Sequence, residues 1–195
     1  MKILFLDIDG VLNSERLMAE NDARHAALGS HTCECYSLVY QMDRACVTRL
    51  NRILRETGAL VVISSSWRKL MDIDEVTRVL VSFGFEGTVI GETPDLVNDA
   101  AWLAKHEWGR NGYERIDRGH EIWEWVAAHP EVTHFVILDD CSDMANVKPF
   151  HVHTDFEIGL DEPDVERALH LMAKSEGAIV GLAVKAYHKE ERGDI

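Results

Sequence analysis

Residues 2–10 read KILFLDIDG. An almost unbroken apolar run that closes on acids fits a strand buried on both faces, as in a parallel sheet. Asp7 and Asp9 stand two apart at its exit. In an extended chain that spacing puts both carboxylates on one side. The following DGVLN carries a glycine and an asparagine as turn signals, and Gly10 lets the chain bend sharply past whatever binds there.

The same kind of run recurs downstream. LVVIS at 60–64, TVI at 88–90, HFVIL at 134–138 and FHVHT at 150–154 are read as further strands, and AIVGLAV at 178–184 as a strand or a helix end. Between them lie helical patterns. Residues 42–57 place Ala45, Val47, Leu50, Ile53 and Leu54 near helical spacing, with Asp43 as cap and Gly58 as terminator. Helices are also expected over 74–83, 118–129 and about 163–175. Strands alternating with helices imply crossovers and a parallel sheet, so the expectation is one α/β domain over 1–195. The polar, irregular segments 13–40 and 92–117 are read as small cap or lid insertions.

Bulk properties narrow the function. The net charge of −14 argues against broad duplex binding and against anionic membranes, both of which favour basic surfaces. It does not exclude a phosphorylated substrate, because a bound divalent cation inverts the local field. No stretch approaches the ~20 apolar residues of a membrane span, and the apolar run at the start is broken by Asp7, too early for a signal peptide; the expectation is a cytoplasmic protein. Four cysteines in 195 residues are no disulfide framework. Cys33 and Cys35 with His25 and His31 offer a zinc alternative, but Cys-x-Cys lacks the usual Cys-x-x-Cys spacing, and ordinary thiols are the preferred reading.

In an open parallel sheet, ligands bind beyond the carboxyl ends of the strands. Asp7, Ser64 and Asp139 each end an expected strand. Asp7 is placed to attack phosphorus and form an aspartyl-phosphate. Asp9 is placed to protonate the leaving alcohol and then to deprotonate the hydrolytic water. Asp139 and Asp140 end another strand, with Asp143 just beyond. Magnesium prefers oxygen ligands, and Asp7, Asp139 and the backbone carbonyl of Asp9 make a plausible set, with Asp140 or Asp143 adding a ligand directly or through water. Carboxylates at strand ends often serve only as caps. Four of them gathered at one crevice are costly without a cation, and that favours the functional reading.

FLDIDGVLN resembles the first motif of the haloacid dehalogenase superfamily, LVVISSSWR the second and FVILDDCSDM the fourth, in the family's order. The resemblance implies a Rossmann-like parallel sheet with a small or minimal cap. It also implies a magnesium-dependent phosphatase with Asp7 as nucleophile and Asp9 as acid/base. Ser64 is implied as the hydroxyl that contacts the phosphoryl group, with Ser65 and Ser66 as rivals. For the third-motif cation, Arg118 is the choice and Lys148 the runner-up. SSSWR, RGHEI and ILDD together are similar to phosphatase domains of RNA repair and of polynucleotide kinase-phosphatases. In those an arginine after the second motif holds phosphate; Arg68 is the match. A nucleic-acid or nucleotide end is therefore one candidate substrate and a small metabolite another. A phosphoacceptor signalling module and a silent phosphate-binding module are the competing classes. The first is disfavoured because its phosphorylated acid would follow the acidic pair in the chain rather than precede it.

Overall fold

The computed structural model describes residues 1–27, 42–105 and 116–174. Five strands form one parallel sheet: β1 (Lys2–Leu6), β2 (Leu60–Ile63), β3 (Val89–Glu92), β4 (His134–Asp139) and β5 (His151–His153), in the order β3-β2-β1-β4-β5. All five strands expected between residues 2 and 154 are present. Segment 178–184 lies outside the described residues, as do 28–40 and 106–115 of the two expected lids.

The period of two along each strand divides the core into two layers. Leu4, Leu6, Val61, Ile63, Val136 and Leu138 face α2 (Arg44–Thr57), α3 (Ile73–Ser82) and α6 (Glu162–Ala173). Ile3, Phe5, Val62, Phe135 and Ile137 face α5 (Arg118–Ala128), through Ile122, Trp123, Trp125 and Val126. Helices on both faces explain why the strands read as continuous apolar runs. This is the Rossmann-like α/β architecture expected from the sequence.

Local signals set the helix ends. Asp43 accepts from the Ala45 amide at 2.7 Å to open α2, and Gly58, at φ 67°, closes it. Asp72 and Glu75 accept each other's backbone N–H at the start of α3, one residue ahead of the expected boundary. One element departs from expectation. Part of the segment read as irregular forms α1 (Glu15–Ala27), where Ser14 accepts from the Leu17 amide at 3.3 Å. Its residues are good helix formers, but they carry no apolar stripe, so periodicity does not reveal it. α4 (Ala100–Lys105) is short and follows a 3₁₀ turn at Leu96–Asn98. Among the described residues, no helix is long and apolar enough to cross a membrane.

β1 is central. The chain builds outward through β2 and β3 on one side, then through β4 and β5 on the other. The reversal of order falls between β1 and β4, and the carboxyl ends of strands at such a switch point are where open parallel sheets bind ligands.

Candidate active site

Register brings the site together. Leu6 pairs with Ile63 on one side and Leu138 on the other, so the next residues of the three strands, Asp7, Ser64 and Asp139, emerge side by side. Ladder hydrogen bonds extend to this level: the Asp7 amide donates to the Leu138 carbonyl at 3.0 Å and the Ser64 amide to that of Leu6 at 2.8 Å. Asp7 and Asp139 are buried. The Asp7 carboxylate also accepts from the Ile8 amide at 2.8 Å, and that of Asp139 from the Cys141 amide at 2.8 Å.

Arg118 joins the two carboxylates. Its Nη1 lies 3.0 Å from Asp7 Oδ2 and 3.1 Å from Asp139 Oδ2, and donates to the Ser64 carbonyl. The sequence places it there by opening α5 with Arg118-Gly119. The Gly119 amide donates to the Asp143 carbonyl at 3.1 Å, and a Cβ at Gly119 would run into the Met144 carbonyl, so glycine permits this close approach of α5 to the loop after β4. His120 accepts from the Asp117 amide at 3.2 Å and serves as a cap.

A 3₁₀ turn at Ser66–Lys69 supplies the other wall. The Ser65 hydroxyl oxygen accepts from the Trp67 amide at 3.4 Å, and the hydroxyl favours the ionised form of Asp7. The Ser64 hydroxyl is buried and has no hydrogen-bond partner among the described residues. Of the three rival serines, Ser65 therefore acts on the charge of the nucleophile candidate and Ser64 retains an unused donor. Asp9 is half-buried and held at both oxygens: Asn13 Nδ2 donates to Oδ1 at 2.7 Å and the Trp67 indole to Oδ2 at 3.0 Å. Neither Trp67 nor Asn13 stood out as a site residue in the sequence. Asp140 packs against Gly10, which sits at φ 70° and whose notional Cβ would lie 2.5 Å from the Asp140 carboxyl carbon; a side chain there would displace it.

Arg68 and Lys148 are placed differently. The Arg68 guanidinium is buried against Glu121 at 2.5 Å and donates to the carbonyls of Ser65 at 2.8 Å and Pro94 at 3.5 Å. Lys148 is exposed on the 3₁₀ turn Ala145–Phe150. Among the described residues, neither makes an ion pair with Asp7 or Asp139; Arg118 does. Asp143 contributes its carbonyl to α5, and its side chain is half-buried beside the loop. Cys33, Cys35, His31 and the side chain of His25, the zinc alternative, lie outside the described residues.

The electrostatics show an excess of buried negative charge. Burial pushes the Asp139 carboxyl up to about 8, with the neighbouring Asp7 charge adding to it and Arg118 opposing it. Burial also raises Asp7, against Arg118, Ser65 and the Ile8 amide, and raises Asp140. For Arg118, burial disfavours the charged form, but Asp7 and Asp139 outweigh it and hold the guanidinium charged. One guanidinium does not balance this cluster. Ligand atoms of Asp139, Asp140 and Cys141 lie within 4.8 Å of one another, close enough to hold an ion. Partial burial and the adjacent carboxylates push the Cys141 thiol up to about 11, while Asp139 and Asp140 supply hard oxygen donors.

A pH dependence follows. Asp139 holds its proton in the folded protein up to about 8, whereas its ordinary value is 3.8. Across that window the folded state binds more protons than the unfolded chain, so stability falls as pH rises. Thermal unfolding in excess chelator should give a lower Tm at pH 8 than at pH 5, and Asp139→Asn should flatten the difference. A Tm that holds or rises over this range would contradict the buried-carboxylate account.

A family model described as the HAD domain in Swiss Army Knife RNA repair proteins matches residues 3–165. No curated protein and no solved structure gives a significant match.

Proposed function

The chain belongs to the family of HAD domains found in Swiss Army Knife RNA repair proteins, and from that premise we propose that it is a phosphomonoester hydrolase working through an aspartyl-phosphate on Asp7. The observation that carries this is the convergence of Asp7 and Asp139 on one guanidinium nitrogen of Arg118, at 3.0 and 3.1 Å, beside a buried hydroxyl of Ser64 without a partner among the described residues. Lone buried carboxylates would simply take up protons. An arrangement of nucleophile, fixed cation and unused donor suits an incoming phosphoryl group.

In this reading Asp7 attacks phosphorus, and the bond from phosphorus to the leaving oxygen breaks. Asp9 delivers a proton to that oxygen, then takes one from the water that cleaves the acyl phosphate. Ser64 and Ser65 orient the phosphoryl oxygens. The remaining N–H groups of the Arg118 fork answer the charge that builds there. Asp7, Asp139 and Asp140, with the Asp9 carbonyl, would hold magnesium, whose contribution when bound is to offset repulsion between two anions. The raised carboxyls and oxygen donor set described above fit such an ion.

For the substrate we propose the phosphorylated end of a polynucleotide, in keeping with the family description. The net charge of −14 supports a small phosphorylated metabolite as the second reading. The test is phosphate release with magnesium from 3′- and 5′-phosphorylated oligonucleotides, mononucleotides, sugar phosphates and an aryl phosphate. Expected are turnover that chelator removes and magnesium restores, and preference for one oligonucleotide end. Preference for a sugar phosphate would replace the polynucleotide reading. Silence on every substrate would overturn the hydrolase reading.

A further inference from the structure

Asp9 must give up and recover a proton in each turnover, yet it is the one half-exposed residue of a buried turn, where a free carboxylate would sample several rotamers. Two donors hold it. The Asn13 amide nitrogen is 2.7 Å from Oδ1 and the Trp67 indole nitrogen 3.0 Å from Oδ2. Both donors are themselves fixed. Asn13 is fully buried, and its own oxygen accepts from the Gly10 amide at 2.9 Å, which dictates that its NH₂ faces Asp9. Trp67 is 4 % exposed, packed in the core cluster beneath the sheet's α2 face. Its backbone amide donates to the Ser65 hydroxyl at 3.4 Å.

We infer that Trp67 and Asn13 are positioning residues that clamp the Asp9 carboxyl for proton transfer to the leaving oxygen. The inference rests on the phosphatase reading. A carboxylate offers about four lone-pair sites, and the clamp takes two. A site remains on each oxygen for the transferable proton, so the clamp serves both protonation states. When the phosphoryl group passes to Asp7, the proton leaves Asp9 for the departing oxygen. An alkoxide needs that proton; a nitrophenolate leaves without it.

The test compares kcat/KM for 4-nitrophenyl, phenyl and benzyl phosphates, whose leaving groups run from good to poor at similar shape. General-acid catalysis contributes typically ~10²–10⁴-fold, and a misplaced acid forfeits part of this. Trp67→Phe keeps the ring in the core and removes the donor. It should cost about tenfold or more on benzyl phosphate beyond any loss on 4-nitrophenyl phosphate. Asn13→Asp, of equal size, should show the same widening, and Asp9→Asn a larger one. A packing role alone lowers all three substrates equally. Equal losses, or none, in both Trp67→Phe and Asn13→Asp would overturn the clamp while leaving the hydrolase reading intact. Wild-type protein inert on all three and on the phosphorylated oligonucleotides would overturn both.

Discussion

Asp7→Asn should reduce phosphate release by on the order of 10⁴-fold or more, the scale on which loss of a covalent nucleophile is felt, and should at the same time raise the Tm of the protein in chelator. The two outcomes share one cause. The carboxamide is close in size and still offers an oxygen to the Ile8 amide, which donates to Asp7 at 2.8 Å. It has no anionic oxygen to attack phosphorus. It also removes one of two buried carboxyls that share Arg118, and with it the second cause of the raised Asp139 carboxyl. Relieving a buried cluster that holds more acids than its one cation balances should stabilise by about 1–2 kcal/mol, the usual gain from a single stabilising change, or a few degrees. An enzyme that stores unfavourable charge at its site gains stability when the charge is removed and loses its chemistry. Phosphate release and thermal melts of the same preparation check both. Near wild-type turnover in Asp7→Asn would remove Asp7 as nucleophile. A lowered Tm would mean that the attraction of Arg118 exceeds the cost of burying the carboxylate.

Much of this was legible before the structure. The positions of β1, β2 and β4 followed from apolar runs, because a central strand covered by helices on both faces has no polar positions to interrupt it. The convergence of Asp7, Ser64 and Asp139 followed from their place at strand ends, since parallel register carries adjacent strands to the same level. α1 was not legible, because a helix with no apolar stripe gives no period to detect. The hold on Asp9 was not legible. Asn13 lies four residues on and reads only as a turn signal, because an asparagine in a turn serves the backbone as readily as a neighbouring carboxylate. Trp67 is 58 residues away, and nothing in SSSWR distinguishes a tryptophan that fills the core from one that also aims its N–H at a carboxylate. Arg68 shows the converse. Its motif position suggested phosphate, while its guanidinium lies buried against Glu121, a partner 53 residues on that only the packing of α5 supplies.

Arg118→Ala should affect both stability and rate. Its side chain is 17 % exposed and stands between carboxylates that are 5 % and 0 % exposed. Removing one partner of a buried charge cluster leaves the rest uncompensated, a loss of about 3–5 kcal/mol. The carboxylates answer by holding protons to higher pH, so the loss should be larger at pH 8 than at pH 5. Rate should fall by about 10²–10³-fold, the usual consequence of deleting one donor to a developing anion. Arg118→Lys separates the two effects. An ammonium restores a charge near Asp7 and Asp139, but it lacks the planar fork that serves carboxylates and a phosphoryl group together; stability should return further than rate. Adding Asp7→Asn to Arg118→Ala should recover part of the Tm and none of the activity, since the pair interacts directly and its effects are not additive. Lys148→Ala is the control. Lys148 is exposed and makes no ion pair with either carboxylate among the described residues, so its loss should leave Tm in place. If activity survives Arg118→Ala and vanishes in Lys148→Ala, the cation that meets the phosphoryl group comes from the turn after β4, and Arg118 is a structural bridge between two carboxylates.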